Sequence, residues 1–185
     1  MKSKNCQLTN CKFNFMRVLI LLLLVVMSLT VKSQTYYIVR HAEKEQASAG
    51  SVMATPGNPP LTKQGAARAL ALKDILKDKH IRYIFSTNTT RTIATAKPLS
   101  EAIGVKVDTY AWPDSTFISK LKTLRGNTLI VGHSNTVDDI VNKLCGQVKI
   151  ASDLKDGEYD NLFLVKIRGR KISFDRRKYG YPSNP

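Results

Sequence analysis

The sequence predicts an α/β domain, a three-layer αβα sandwich whose mostly parallel central sheet carries helices on both faces. Three observations predict it. From residue 36 onward, short apolar β-type runs alternate with helix-type runs, the pattern of a sheet with parallel members. Three of the apolar runs stop on basic or hydrogen-bonding residues, as strands do when their carboxyl ends form a site. A length of 185 residues, 43 % of them hydrophobic and with no repeat or low-complexity tract, suits one domain with a real core.

Taken in order, Tyr36–Val39 reads as the first strand. Thr62 is placed as an N-cap, opening a helix to about Lys77 with Ala69, Leu72, Ile75 and Leu76 on one face. Ile81–Phe85 is the second strand. A helix follows from about Thr89 to Ile103, with Pro98 inside it and Gly104 ending it. Val105–Tyr110 is a short strand, and Asp114 or Ser115 opens a helix to about Leu124. Thr128–Val131 is the next strand, and Thr136–Leu144 a helix stopped by Gly146. Asn161–Ile167 and Lys171–Phe174 read as a terminal hairpin turned at Gly169. Residues 43–60 are polar, rich in Gly and Pro and without period, a loop long enough to be a functional flap.

Residues 1–33 stand apart. Val18–Met27 is an unbroken apolar run of ten, preceded by Lys2, Lys4, Lys12 and Arg17 and followed by Ser28, Thr30 and Ser33. This is the pattern of a secretory signal peptide, cleaved after Ser33, and it implies an exported protein, periplasmic or extracellular. The run is short for a membrane span, which needs roughly 20 apolar residues; an uncleaved anchor is the alternative, and the only membrane contact expected. A start at Met16 gives a compact signal by itself, which makes residues 1–15 a candidate over-extension. The domain proper is then 34–185.

Cys6 and Cys11 lie in the leader, so only Cys145 remains, in the apolar context of a buried structural thiol. No Cys/His spacing of metal-site type occurs. The domain holds 24 basic and 14 acidic residues, a net +10. Such a charge fits an anionic surface, nucleic acid or a phosphorylated substrate. The basic residues are not interleaved with aromatics on a recognisable module, so no nucleic-acid partner is expected.

The strand ends give the charge a purpose. Tyr36–Val39 runs into Arg40-His41, Ile81–Phe85 into Ser86-Thr87 with Arg91 soon after, and Thr128–Val131 into Gly132-His133-Ser134-Asn135. Parallel central strands bring Arg40, His41, Arg91 and His133 to one rim. Arginine forks match phosphate oxygens and keep their charge. A neutral imidazole can take phosphorus covalently, and a helix starting after Thr87 directs amide donors at an anion.

The stretches VRHAEK (39–44), LTKQG (61–65), FSTNTTRTIATAKPL (85–99) and VGHSN (131–135) resemble the signatures of the histidine phosphatase superfamily, the phosphoglycerate mutase-like proteins. The likeness spans about residues 36 to 145. The short gap from Arg91 to His133 looks most like the small phosphohistidine phosphatase-type members. The resemblance implies a phosphoglycerate mutase-like fold and hydrolysis of phosphomonoesters or phosphoramidates, without metal or cofactor. It makes His41 the nucleophile that becomes phosphohistidine. Arg40 and Arg91 would clamp the phosphate, His133 would donate to it, and Thr87 would shape the turn and add a contact. The partner implied is a phosphorylated small molecule or a phosphoprotein. A mutase-like phosphotransferase and a catalytically weak phosphate- or phosphoprotein-binding module are the alternatives.

Two departures stand out. Ala42 replaces the glycine of the familiar Arg-His-Gly, which matters if that position needs positive φ. No carboxylate follows the second histidine, where Ser134 stands, so the general acid is sought at Asp114, with Asp108 and Glu43 as further candidates.

Overall fold

The computed structural model describes Arg17, residues 33–46 and residues 57–183. The chain divides into two units, Met1–Lys32 and Ser33–Pro185, and the fold is that of the second. Apart from Arg17 and Ser33, the leader lies outside the described residues, as do residues 47–56 of the expected flap.

Six strands form one sheet: β1 (Ser33–Arg40), β2 (Ile81–Thr87), β3 (Val107–Tyr110), β4 (Asn127–Gly132), β5 (Asn161–Arg168) and β6 (Lys171–Lys178). Their order is β3-β2-β4-β1-β5-β6. The pairs β3·β2, β2·β4 and β4·β1 are parallel, while β5 runs antiparallel to both β1 and β6. The helices are α1 (Lys63–Leu76), α2 (Thr90–Ile103), α3 (Ser115–Thr123) and α4 (Ser134–Cys145).

Alternation along the strands builds the three layers. On one face Tyr36, Ile38, Ile130 and Phe163 pack with Phe117, Leu121, Val137, Val141 and Leu144 of α3 and α4. On the other, Tyr37, Val39, Leu129 and Val131 pack with Leu72 and Leu76 of α1 and Ala96 and Leu99 of α2. The α/β sandwich expected from the sequence is therefore present, with its parallel members at the centre. Cys145 is the buried free thiol of the inner face of α4.

Local chemistry sets the helix ends. Thr62 caps α1, its hydroxyl accepting from Gly65 N at 3.0 Å. Asp114 caps α3, its Oδ1 accepting from Phe117 N at 2.8 Å. Gly104 and Gly146 close α2 and α4 in the left-handed conformation.

Two expectations need correction. Ile75 is not on the buried face of α1 but 38 % exposed. The stripe is Gly65, Arg68, Ala69, Leu72 and Leu76, because a buried Arg68 rotates it. The strand expected from Val105 begins at Val107. Val105 instead belongs to the helix cap, its N–H donating to Ser100 O.

Candidate active site

The carboxyl ends of β1, β2 and β4 lie side by side, with Arg40 opposite Gly132 and Ser86 opposite Val131. His41 N donates to Gly132 O at 2.9 Å, which ties the first motif to the third one residue past the strands. His133 follows Gly132 at once and heads α4, its N–H donating to Thr136 Oγ1 at 2.8 Å. A side chain on Gly132 would run into Thr136 Oγ1 and the Tyr110 hydroxyl, so this turn needs the glycine. Ala42 does not need one. It is fully buried, its N–H donates to Thr95 Oγ1 at 2.9 Å, and among the described residues only His80 has positive φ without being glycine. The departure from Arg-His-Gly is thus accommodated.

Arg40, His41, Arg91 and His133 gather as the strand ends imply. The two imidazoles meet edge to face with centroids 5.4 Å apart. His41 is 3 % exposed. Its Nδ1 lies 2.7 Å from Ala42 O. A carbonyl only accepts, so Nδ1 carries the hydrogen and Nε2 keeps its lone pair. Arg91 Nη2 lies 3.5 Å from His133 Nδ1, and Thr87 Oγ1 lies 2.9 Å from His133 Nε2. The Thr87 hydroxyl donates onward to Thr92, which donates to the carbonyls of Thr87 and Thr89. Thr87 therefore accepts from His133 Nε2–H, and Nδ1 is the nitrogen turned to the arginine. The Nε atoms of Arg40 and Arg91 are buried with no hydrogen-bond partner among the described residues, a costly state that an oxyanion would relieve.

Charge and burial hold both imidazoles neutral. Burial pushes His41 down to about 3. Arg40, Arg91 and His133 push the same way, against the bond to Ala42. Burial, then Arg91 and Arg40, push His133 down to about 4. Both folded values lie below the ordinary 6.5. The unfolded chain therefore binds these protons first, so the stability at stake is fully present above about pH 6.5 and is lost as pH falls through 4 and then 3. A histidine-resolved NMR titration of the ligand-free protein is expected to find His41 and His133 silent between pH 5 and 8. A step near 6.5 for either would contradict the neutral pair.

The three acid candidates stand differently. Asp114 has one carboxylate oxygen on the helix cap. Asp108 is exposed on β3, 3.8 Å from Lys106. Glu43 is engaged by a buried arginine instead of being free to act as an acid. Its Oε1 accepts from Arg68 Nε and Nη2 at 2.9 and 2.6 Å, and its Oε2 from Nε at 3.0 Å. Both its oxygens are committed, and it fixes the chain two residues beyond His41.

Sequence reasoning missed the connection between α4 and β5. Lys155 O accepts from Arg40 Nη1 at 2.8 Å, Asp156 Oδ1 lies 3.5 Å from Nη2, and the Arg40 guanidinium sits 4.4 Å from the Tyr159 ring centroid. Tyr159 also lies 5.8 Å from the His41 ring. The one signal for it was position, an aromatic just ahead of the strand that returns beside β1.

A sequence profile of the histidine phosphatase superfamily (branch 1) matches residues 36–112. Several solved structures share the fold. The protein histidine phosphatase SixA complexed with tungstate aligns at 15 % identity over 78 % of this chain and 96 % of its own, with a TM-score of 0.58. Phosphoglycerate mutase from Bacillus anthracis str. Sterne aligns at 15 % over 78 % and 92 %, with a TM-score of 0.54. A mycobacterial glucosyl-3-phosphoglycerate phosphatase aligns at 12 % over 80 % and 99 %, with a TM-score of 0.51. No curated protein sequence matches the chain.

Proposed function

Because residues 36–112 match the histidine phosphatase superfamily profile and the fold is shared with solved phosphatases, we propose that the chain is a metal-independent phosphatase acting through a phosphohistidine on His41, on phosphomonoesters or phosphoramidates. The observation that carries the reading is the state of His41. Its Nδ1–H is tied to Ala42 O, and a free Nε2 lone pair stands among two arginines and a second histidine.

The chemistry is two in-line displacements. His41 Nε2 bonds to phosphorus as the bond to the leaving oxygen or nitrogen breaks, with the bonding pair going to the leaving group. Water then attacks the phosphorus of phosphohistidine, the N–P bond breaks back onto Nε2, and orthophosphate leaves. Arg40 and Arg91 neutralise charge on the equatorial oxygens. An arriving dianion draws Arg91 from His133 Nδ1 and favours a proton there, which lets His133 donate to the phosphate. Thr87 holds the far nitrogen of that ring.

Aryl phosphates and phosphohistidine leave with little protonation. For poorer leaving groups the proton comes from Asp114 through the oxygen not used by the cap. The substrate class includes phosphoproteins, a reading supported by the structural likeness to a protein histidine phosphatase.

The test is hydrolysis of an aryl and an alkyl phosphate in EDTA, by wild type and Asp114→Asn. Turnover of the aryl ester is expected to be unaffected by EDTA and by the substitution, with the alkyl ester slowed in the variant by about 10²-fold. Loss in EDTA restored by a divalent ion would overturn the metal-free mechanism. Equal alkyl rates would remove Asp114 from it. A chain that binds orthophosphate but turns over neither ester would be a binding module.

A further inference from the structure

We propose that Tyr159 is the positioning residue of the phosphate clamp. It holds the Arg40 guanidinium over the face of its ring, so that the connection between α4 and β5, and not β1 alone, sets the geometry of the site. The inference rests on the phosphate-binding reading of Arg40 and deepens it.

Arg40 is 3 % exposed, yet among the described residues its guanidinium bonds to no side chain of its own strand. Its partners come from one short stretch of the connection: Lys155 O at 2.8 Å, Asp156 Oδ1 at 3.5 Å, and the Tyr159 ring at 4.4 Å. The three differ in strength. The Asp156 side chain is fully exposed, so its contact is screened by water and easily exchanged. Lys155 O occupies one terminal nitrogen. The Tyr159 face is what fixes the plane of the fork, since a cation over an aromatic face is held by the ring quadrupole, and more strongly when water is excluded. With that plane fixed, the buried Nε and the edge now facing Asp156 are left for a substrate oxygen. Arginine binds phosphate through a planar fork, so a tilt of that plane costs binding directly.

The connection is built to hold Tyr159 still. Tyr159 N–H donates both to Gly157 O at 3.1 Å and to Ser183 Oγ at 3.0 Å. The next residue, Asp160, is buried and accepts from Lys178 Nζ and Ser183 N. Before it, Glu158 is anchored to Arg176 at 2.9 Å. The ring also reaches the nucleophile, 5.8 Å from the His41 ring, so one aromatic side chain borders two of the four site residues.

The test is a double-mutant cycle on the purified protein, reading orthophosphate affinity and aryl phosphate kcat/KM for wild type, Tyr159→Leu, Arg40→Ala and the pair, with Tyr159→Phe beside them. Tyr159→Leu is expected to weaken both readouts about tenfold in the wild-type background and less than twofold in the Arg40→Ala background, while Tyr159→Phe stays within twofold of wild type. Equal losses from Tyr159→Leu in both backgrounds would overturn the proposal, because the tyrosine would then not act through Arg40. A Tyr159→Phe loss as large as that of Tyr159→Leu would also overturn it, moving the role to the phenol hydroxyl. Orthophosphate binding without hydrolysis in the wild type would sink the phosphatase reading alone, since the affinity cycle still reports the Tyr159–Arg40 coupling.

Discussion

His41→Ala is expected to lower turnover of an aryl phosphate by at least about 10³-fold, to the assay floor, while orthophosphate binding falls no more than a few-fold. The split follows from the division of labour in the site. His41 offers one nitrogen lone pair and, being neutral, little attraction for a dianion. In the proposed mechanism binding rests on Arg40 and Arg91, whose buried Nε groups lack partners among the described residues. Removing the imidazole therefore removes the covalent step and leaves the charges that hold the anion. The cavity left beside Tyr159 and His133 is small and polar enough to admit water. A phosphoenzyme trapped by acid quench in wild type and missing in the variant would locate the covalent bond. A variant retaining the wild-type rate would displace His41 as nucleophile, and one that loses phosphate affinity in proportion would make it a binding group instead.

The sequence revealed the fold where local pattern and tertiary environment agree. Each central parallel strand is apolar on both sides because helices cover both faces, so Tyr36–Val39 and Thr128–Val131 are legible as buried strands from their residues alone. The rim was legible for the same reason in reverse. Arginine and histidine directly after such runs have no packing purpose, and the parallel order brings them together. What stayed hidden depends on contacts between distant segments. Arg68 sits in a helix with several charged residues, where an arginine looks solvated, and nothing local shows that Glu43 waits 25 positions earlier. The failure at Ile75 has the same origin, since the face was assigned by hydrophobicity while the core accepted an arginine. Tyr159 was hidden because it reaches the site through β5, which returns antiparallel beside β1 outside the alternating pattern.

The pair of Glu43 and Arg68 carries the second large effect. Glu43→Ala is expected to destabilise the domain by about 3–5 kcal/mol, because it leaves a guanidinium uncompensated in the core. Arg68 is 1 % exposed, and its hydrogen bond outside the pair runs from Nη1 to Tyr179 O at 2.9 Å. For a domain of this size that loss lowers Tm by about 10 °C. The pair also bears on catalysis. Glu43 O accepts from Thr62 N at 3.0 Å, and the first turn of α1 lies so close to that carbonyl that a side chain on Gly65 would overlap it. The Thr-x-x-Gly of the LTKQG stretch thus serves to dock α1 on the segment leaving His41. Loosening that dock frees the backbone on which Ala42 O orients the His41 tautomer. Thermal melts of Glu43→Ala, Arg68→Met and the Glu43→Leu/Arg68→Met pair decide the matter. The single Glu43 variant is expected to be the least stable and the apolar pair to recover most of the loss, since burying two matched apolar groups avoids the unpaired charge. If the pair melts no higher than Glu43→Ala, specific hydrogen bonds rather than an orphaned charge hold this corner. If Glu43→Ala melts like wild type, water reaches Arg68 and the dock does not depend on the ion pair.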